Sequence, residues 1–265
     1  MTSEEDALES LDRSGMLNVL MWAAPVAFAR TGQDYDEDAG HDQMIIGVHN
    51  FVYLRDLLDR ATANGRYILP DGANNLGEDI LGRGITPEAW RAMPQLPPGR
   101  VSRSDYKRSP GWAADGYRVL LQSFKYGGID HIKWGERSEA KRCVASQSFI
   151  TQDTLFTDED FGLQTVAGIP GDDDFEGVTL VAAHSYEPLT GRFELYIGQS
   201  KNPEFRGDLC WHWRRLLLDG GTAPGLTGRG LFPVLPGGAP STQVEEIAVR
   251  IKKPQAGDGT ATSNG

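Results

Sequence analysis

Cysteine is nearly absent from this chain: 265 residues hold only Cys143 and Cys210. Two thiols so far apart argue against a disulfide framework or a metal cage and point to reduced thiols in a cytosolic protein. Long apolar runs are also missing. None approaches the roughly 20 residues that span a bilayer, so no membrane partner is expected. The opening stretch MTSEEDALESLDR is acidic and lacks an apolar core, which argues against a signal peptide. There is no G-x-S-x-G elbow, no phosphate-binding loop, no dinucleotide fingerprint and no internal repeat.

What is present suits a globular chain. Apolar residues make up 39% and charged residues 24%, enough to bury a core and to argue against disorder of the whole chain. The net charge of −11 is unevenly spread. Residues 1–80 hold fifteen acids and five bases, and residues 151–190 hold nine acids and no base. Residues 100–142 reverse the sign, with ten bases against five acids. Such a segment can meet a phosphate or nucleic acid, or pair internally with its acidic neighbours. Its candidate binding residues are Arg100, Arg103, Lys107, Arg108, Lys133, Arg137, Lys141 and Arg142.

Helical signals come first. Ser3 followed by Glu4, Glu5 and Asp6 is a capped helix start, with helix continuing through Leu8 and Leu11 to Pro25. After an acidic loop over 32–40, a second helix is expected over about 41–64. Ile45, Val48, Val52 and Leu58 are among its apolar positions, and Asn64-Gly65 stops it. Residues 70–85 read as loop, and Thr86-Pro87-Glu88 starts a short helix carrying Trp90. Strand character follows. Residues 117–126 and 129–134 flank Gly127-Gly128 as a hairpin that sets Tyr126 opposite Ile129, and a helix over 138–147 comes next. A second hairpin joins VTLVAAHSY to FELYIG through Pro188–Gly191, with Glu187 opposite Arg192. A helix from Asn202-Pro203 to about Leu218, a strand over 243–252 and a disordered tail over 253–265 complete the reading. The class is α+β: a helical region to about residue 95, then an antiparallel or mixed sheet of two hairpin-plus-helix units, in one domain over 1–252.

One stretch points toward chemistry: YIGQSKNPEFR, residues 196–206. Tyr196-Ile197-Gly198, the Ser200-Lys201-Asn202 corner and Arg206 resemble the second half of the GIY-YIG nuclease motif. In that family a hairpin presents two tyrosines, the next helix an arginine, and a later glutamate holds a divalent metal. The resemblance implies catalytic roles for Tyr196, Arg206 and His212, with Mg²⁺ or Mn²⁺ as cofactor. The sequence departs from the family where the first tyrosine belongs, because those positions fall on His184 and Ser185. The hairpin register sets Tyr186 opposite Phe193 and Tyr196 opposite Ala183, so the two tyrosines face opposite ways. Downstream, only Glu245 and Glu246 remain, in a strand-like segment.

Other clusters carry less. Gly40-His41-Asp42 lacks the earlier histidine of an HD-type phosphohydrolase. His41 and His49 stand eight residues apart and do not share a tight helical face. Asp172-Asp173-Asp174 has no calcium-loop spacing. Asp130 with Glu139 and Lys141 has the residue types of a D…ExK nuclease, but the latter two start a helix. Trp211 and Trp213, on different sides of the expected helix, read as core before binding anchors. The expectation is a non-catalytic binding protein without cofactor, acting through the basic segment or an aromatic surface on a protein or nucleic-acid partner. The alternative is a metal-dependent nuclease.

Overall fold

The computed structural model describes residues 4–68, 76–147, 175–202 and 209–221, all within one compact unit, Met1–Phe232. The expected strand over 243–252, the 253–265 tail, most of the acidic 151–176 loop and Arg206 lie outside the described residues. The class is α+β, with the helices first and a six-stranded mixed sheet after them. No described helix is long and apolar enough to cross a membrane.

Helix α1 (Glu4–Arg13) carries three acids in its first turn and Arg13 in its last, both favourable to the helix dipole. It ends at Gly15, whose φ of 81° is left-handed and suits glycine. Helix α2 (Met16–Asp34) then runs past Pro25, where the sequence suggested a stop. Its buried residues include Leu17, Val19, Leu20, Trp22, Ala23, Ala24, Ala27 and Phe28, which cover nearly every side of the helix. Packing here outweighs the proline penalty. Helix α3 (Gln43–Ala61) is capped by Asp42, whose carboxylate accepts from the backbone of Met44 (2.9 Å) and Ile45 (3.1 Å). Val48 and Val52, two of its expected apolar positions, are 51% and 37% exposed. The buried stripe is Ile46, Asn50, Leu54, Leu57, Leu58 and Ala61, which keeps the expected Leu58 in the core but otherwise lies one step around the helix, as a 3.6-residue period allows.

The sheet comprises β1 (Ser102–Arg103), β2 (Gly111–Ala114), β3 (Tyr117–Ser123), β4 (Val178–Glu187), β5 (Arg192–Ser200) and β6 (Trp211–Gly221), in sequential order. Every neighbouring pair is antiparallel except β3 and β4, which run parallel. Three elements differ from the sequence expectation. The first hairpin turns at Asp115-Gly116, not at Gly127-Gly128. Both residues have positive φ (48° and 81°), the conformation an Asp-Gly two-residue turn supplies. Residues 129–134 are not a strand; two 3₁₀ turns, Ile129–His131 and Trp134–Glu136, lead into α6 (Glu139–Val144). The hairpin-plus-helix repeat fails again at its second copy, because Trp211–Gly221 is a strand. That strand covers the open edge of β5, and an uncovered edge is a liability. Within 70–85, Glu78–Leu81 forms a short helix, α4, and α5 spans Pro87–Arg91 with Thr86 as its cap. The second hairpin matches its expected register: Glu187 faces Arg192, Tyr186 faces Phe193 and Ala183 faces Tyr196.

Both faces of the sheet are buried, which is why β3 and β4 read as nearly unbroken apolar runs. Val119, Leu121, Leu180, Ala182, Leu195 and Ile197 pack with α1–α3. Leu120, Phe124, Val181, Ala183 and Tyr196 belong to a second core with Ile129, Ile132, Trp134, Ala140 and Val144. A register shift in β6 sends Trp211 to this second core and Trp213 to the first, so His212 is the extra residue of a bulge. The 3₁₀ segment is tied to β6 by crossed bonds. Trp134 Nε1 donates to the Cys210 carbonyl (2.6 Å), and Trp211 Nε1 donates to the Ile129 carbonyl (3.0 Å). The two indoles meet edge to face at 5.1 Å. Trp134→Phe or Trp211→Phe should each cost about 1–3 kcal/mol in urea unfolding, because a buried carbonyl loses its donor. The double variant should cost less than the sum of the two, since the rings support each other.

Candidate functional site

Nine charged side chains line a cleft of about 620 Å³ at the C-terminal half of α3. Six arginines line it: Arg30, Arg55, Arg60, Arg66, Arg83 and Arg103. Three acids, Asp56, Asp59 and Asp105, face them. The sequence RDLLDR, residues 55–60, places Arg and Asp at helical spacing so that both carboxylates and both guanidiniums come to the same wall.

Arg60 organises the floor. Its side chain is 3% exposed, and its donors are nearly all used. Nε and Nη2 donate to Asp56 (2.9 and 2.6 Å), Nε also to the Tyr67 hydroxyl (2.9 Å), and Nη1 to the carbonyls of Leu81 (2.9 Å) and Arg83 (2.6 Å). The last two bonds hold the loop after α4 over the cleft and bring Arg83 to its rim. Burial pushes the Asp56 carboxyl up, but the Tyr67 hydroxyl, Arg60 and Arg66 outweigh it and hold the group below the ordinary range. Asp59 goes the other way. Burial raises it, and bonds from Arg103 Nη1 (2.5 Å) and Trp112 Nε1 (3.0 Å) offset this only in part.

Arg103 is set by Asn64. That buried amide donates to the Val101 carbonyl (2.9 Å) and accepts from the Arg103 backbone N–H (3.0 Å), so it ties the end of α3 to β1. The Arg103 side chain bridges Asp59 and Asp105 and lies 4.8 Å from the Trp112 ring centroid. Arg30, from α2, lies 4.1 Å over the Tyr53 ring. Gly84 stands beside it with φ +74°, where a Cβ would come within 3.1 Å of Arg30 Nη1. Arg60, Arg66 and Arg103 are thus paired with aspartates. No described carboxylate forms an ion pair with Arg30, Arg55 or Arg83, so the cleft carries a net excess of three positive charges.

The basic 100–142 segment does not form one face. Arg100 pairs with Asp115 (2.9 Å), Lys107 with Glu139, and Lys133 with Glu136 (3.0 Å). Of the candidates in this segment, Arg103 enters the arginine cleft. Arg108 and Lys141 line a separate groove. Arg137 and Arg142 are exposed, and the Arg142 carbonyl accepts from Asn202 (3.1 Å). Tyr196 is 9% exposed, with its ring 6.1 Å from Phe124 and the Arg214 guanidinium 5.3 Å above it. His212 lies on a strand, not on the expected helix. His41 and His49 do approach, at 6.3 Å between rings, because His41 precedes α3 and escapes helical spacing. No cluster of three or more potential metal ligands occurs among the described residues.

Set beside known protein families, curated proteins and solved structures, the chain matches none. Its function has to be sought in the chemistry of its own residues. Charge counting by segment missed this cleft, since four of the five bases in the acidic 1–80 region converge on it. The usable signal was RDLLDR, a helix turn with arginine at both ends.

Asp56→Asn leaves a buried guanidinium without its counter-charge and should cost about 3–5 kcal/mol in urea unfolding. Because the folded Asp56 carboxyl sits below its unfolded value of about 3.9, its contribution is complete above that pH and is lost as pH falls through the folded value. The variant's stability profile should lack that acid-side loss.

Proposed function

We propose that this protein is a non-catalytic binder of phosphate-bearing ligands, and that it takes them in the arginine cleft. The observation that carries this is the set of three arginines, Arg30, Arg55 and Arg83, without ion-pair partners among the described residues, in a cleft whose other arginines Arg60, Arg66 and Arg103 are held in place by aspartates. Guanidinium forks match phosphate oxygens geometrically, and fixed ones lose little freedom on binding. A cleft of about 620 Å³ has room for a nucleotide-sized ligand. The setting proposed is cytoplasmic, where Cys143 and Cys210, unbonded in the structure, would stay reduced. The phosphodiesterase alternative draws less support, since the hydroxyl-bearing ring of Tyr196 packs within the second core.

The test is a titration with pyrophosphate, ATP and a short single-stranded DNA, followed by tryptophan fluorescence, Trp112 being next to Arg103. Binding should weaken about tenfold or more in Arg55→Ala and in Arg83→Ala, as expected for losing a charged hydrogen bond. Neither variant should lose thermal stability, because neither side chain holds a described ion pair. A steep fall in affinity with salt for DNA alone would assign the phosphates to a strand, and a shallow one with ATP to a nucleotide. Equal binding by wild type and both variants would overturn the reading.

A further inference from the structure

The second groove, about 520 Å³, runs between α3 and the β3 end of the sheet. Its apolar wall is Met44, Val48, Phe51 and Leu121, and Ser123 and Ser138 add hydroxyls. Among the described residues no carboxylate lines it, and the charged ones that do are Arg108 and Lys141. Lys141 projects from α6, whose Ser138 cap accepts from the Lys141 backbone N–H (3.4 Å). The residue is 4% exposed. No described ion pair includes its amine. Deeper in the molecule, β4 contributes His184, fully buried with neither ring nitrogen hydrogen-bonded among the described residues.

A buried lysine without an ion pair among the described residues destabilises the fold, so its presence calls for an explanation. We infer that Lys141 is a carbonyl-reactive amine, and that the groove takes a small 2-oxo acid whose carboxylate is held by Arg108. In the step, the amine lone pair attacks the carbonyl carbon to form a carbinolamine. Loss of its hydroxyl with a proton as water then leaves a C=N bond to Nζ, with no oxidant or reductant required. The physical conditions suit this. Burial lowers the Lys141 ammonium to about 7, so much of the amine is neutral at physiological pH. His184, lowered to about 4 by burial and by the nearby Lys141 charge, stays neutral alongside it.

The test is incubation of the full chain with pyruvate, reduction with borohydride and peptide mapping by mass spectrometry. The reduced adduct should form at Lys141 on the order of a hundredfold faster than at the other six lysines, and it should disappear in Lys141→Met. Arg108→Ala should slow labelling by pyruvate but not by acetaldehyde, which has no carboxylate. Even labelling of all the lysines, or an unlabelled Lys141, overturns the proposal, and the wild-type map alone decides this if the variant does not fold. Equal rates for pyruvate in wild type and Arg108→Ala remove the role given to Arg108. Lys141→Met should also raise the urea midpoint at pH 7. That gain should shrink toward pH 10, because between the folded and unfolded lysine values the unfolded chain binds more protons and wild-type stability climbs with pH.

Discussion

A guanidinium cannot lose its charge, so burying Arg60 dictates much of what surrounds it. Each N–H needs an acceptor. The acceptors are an aspartate one turn away, a tyrosine from the turn after the helix, and two carbonyls from a loop more than twenty residues on. Satisfying one side chain therefore fixes the end of α3, the 3₁₀ turn at Gly65–Tyr67 and the path of the chain after α4. The cleft exists because these three segments are held apart at the distances one planar cation sets.

The same logic of satisfaction runs through the sheet. Both faces carry apolar cores, so the polar groups buried beside them must find partners nearby. Gln147 does this for β4, as its amide both donates to the Thr179 carbonyl (2.8 Å) and accepts from the Thr179 N–H (2.8 Å), continuing the ladder where β5 does not reach. Arg118 lies between the rings of Tyr106 and Phe175, with Nε donating to Thr179 Oγ1 (3.0 Å). These arrangements keep much of the basic segment engaged inside the protein.

What could be read from the sequence was local. Thr86 as the start of a short helix, and the closing pair Glu187–Arg192, depend on residues a few positions apart, and they appear as expected. The misreadings have one cause: a local signal overridden from a distance. Gly127-Gly128 looks like a hairpin, yet the strand that pairs with β3 is β4, brought from far along the chain. Trp211–Leu218 has helical composition, yet the edge of β5 recruits it as a strand. Asp115-Gly116, an Asp-Gly pair between strand-like residues, is the stronger turn signal. For the sites, charge totals by segment hid an arginine cleft built from separate elements, and nothing local distinguishes Lys141 from a surface lysine until its burial is seen.

The parallel pairing of β3 with β4 has a consequence for the order of assembly. The β2–β3 and β4–β5 turns each close over a few residues, whereas Tyr117 must find Val178 across about sixty. The entropy of closing that loop comes before any contact along the seam rewards it. The sheet is thus two locally nucleated halves joined at one seam, and zipping that seam is expected to be the slow event of folding. Substitutions along the seam that altered only the unfolding rate, and left refolding untouched, would contradict this order.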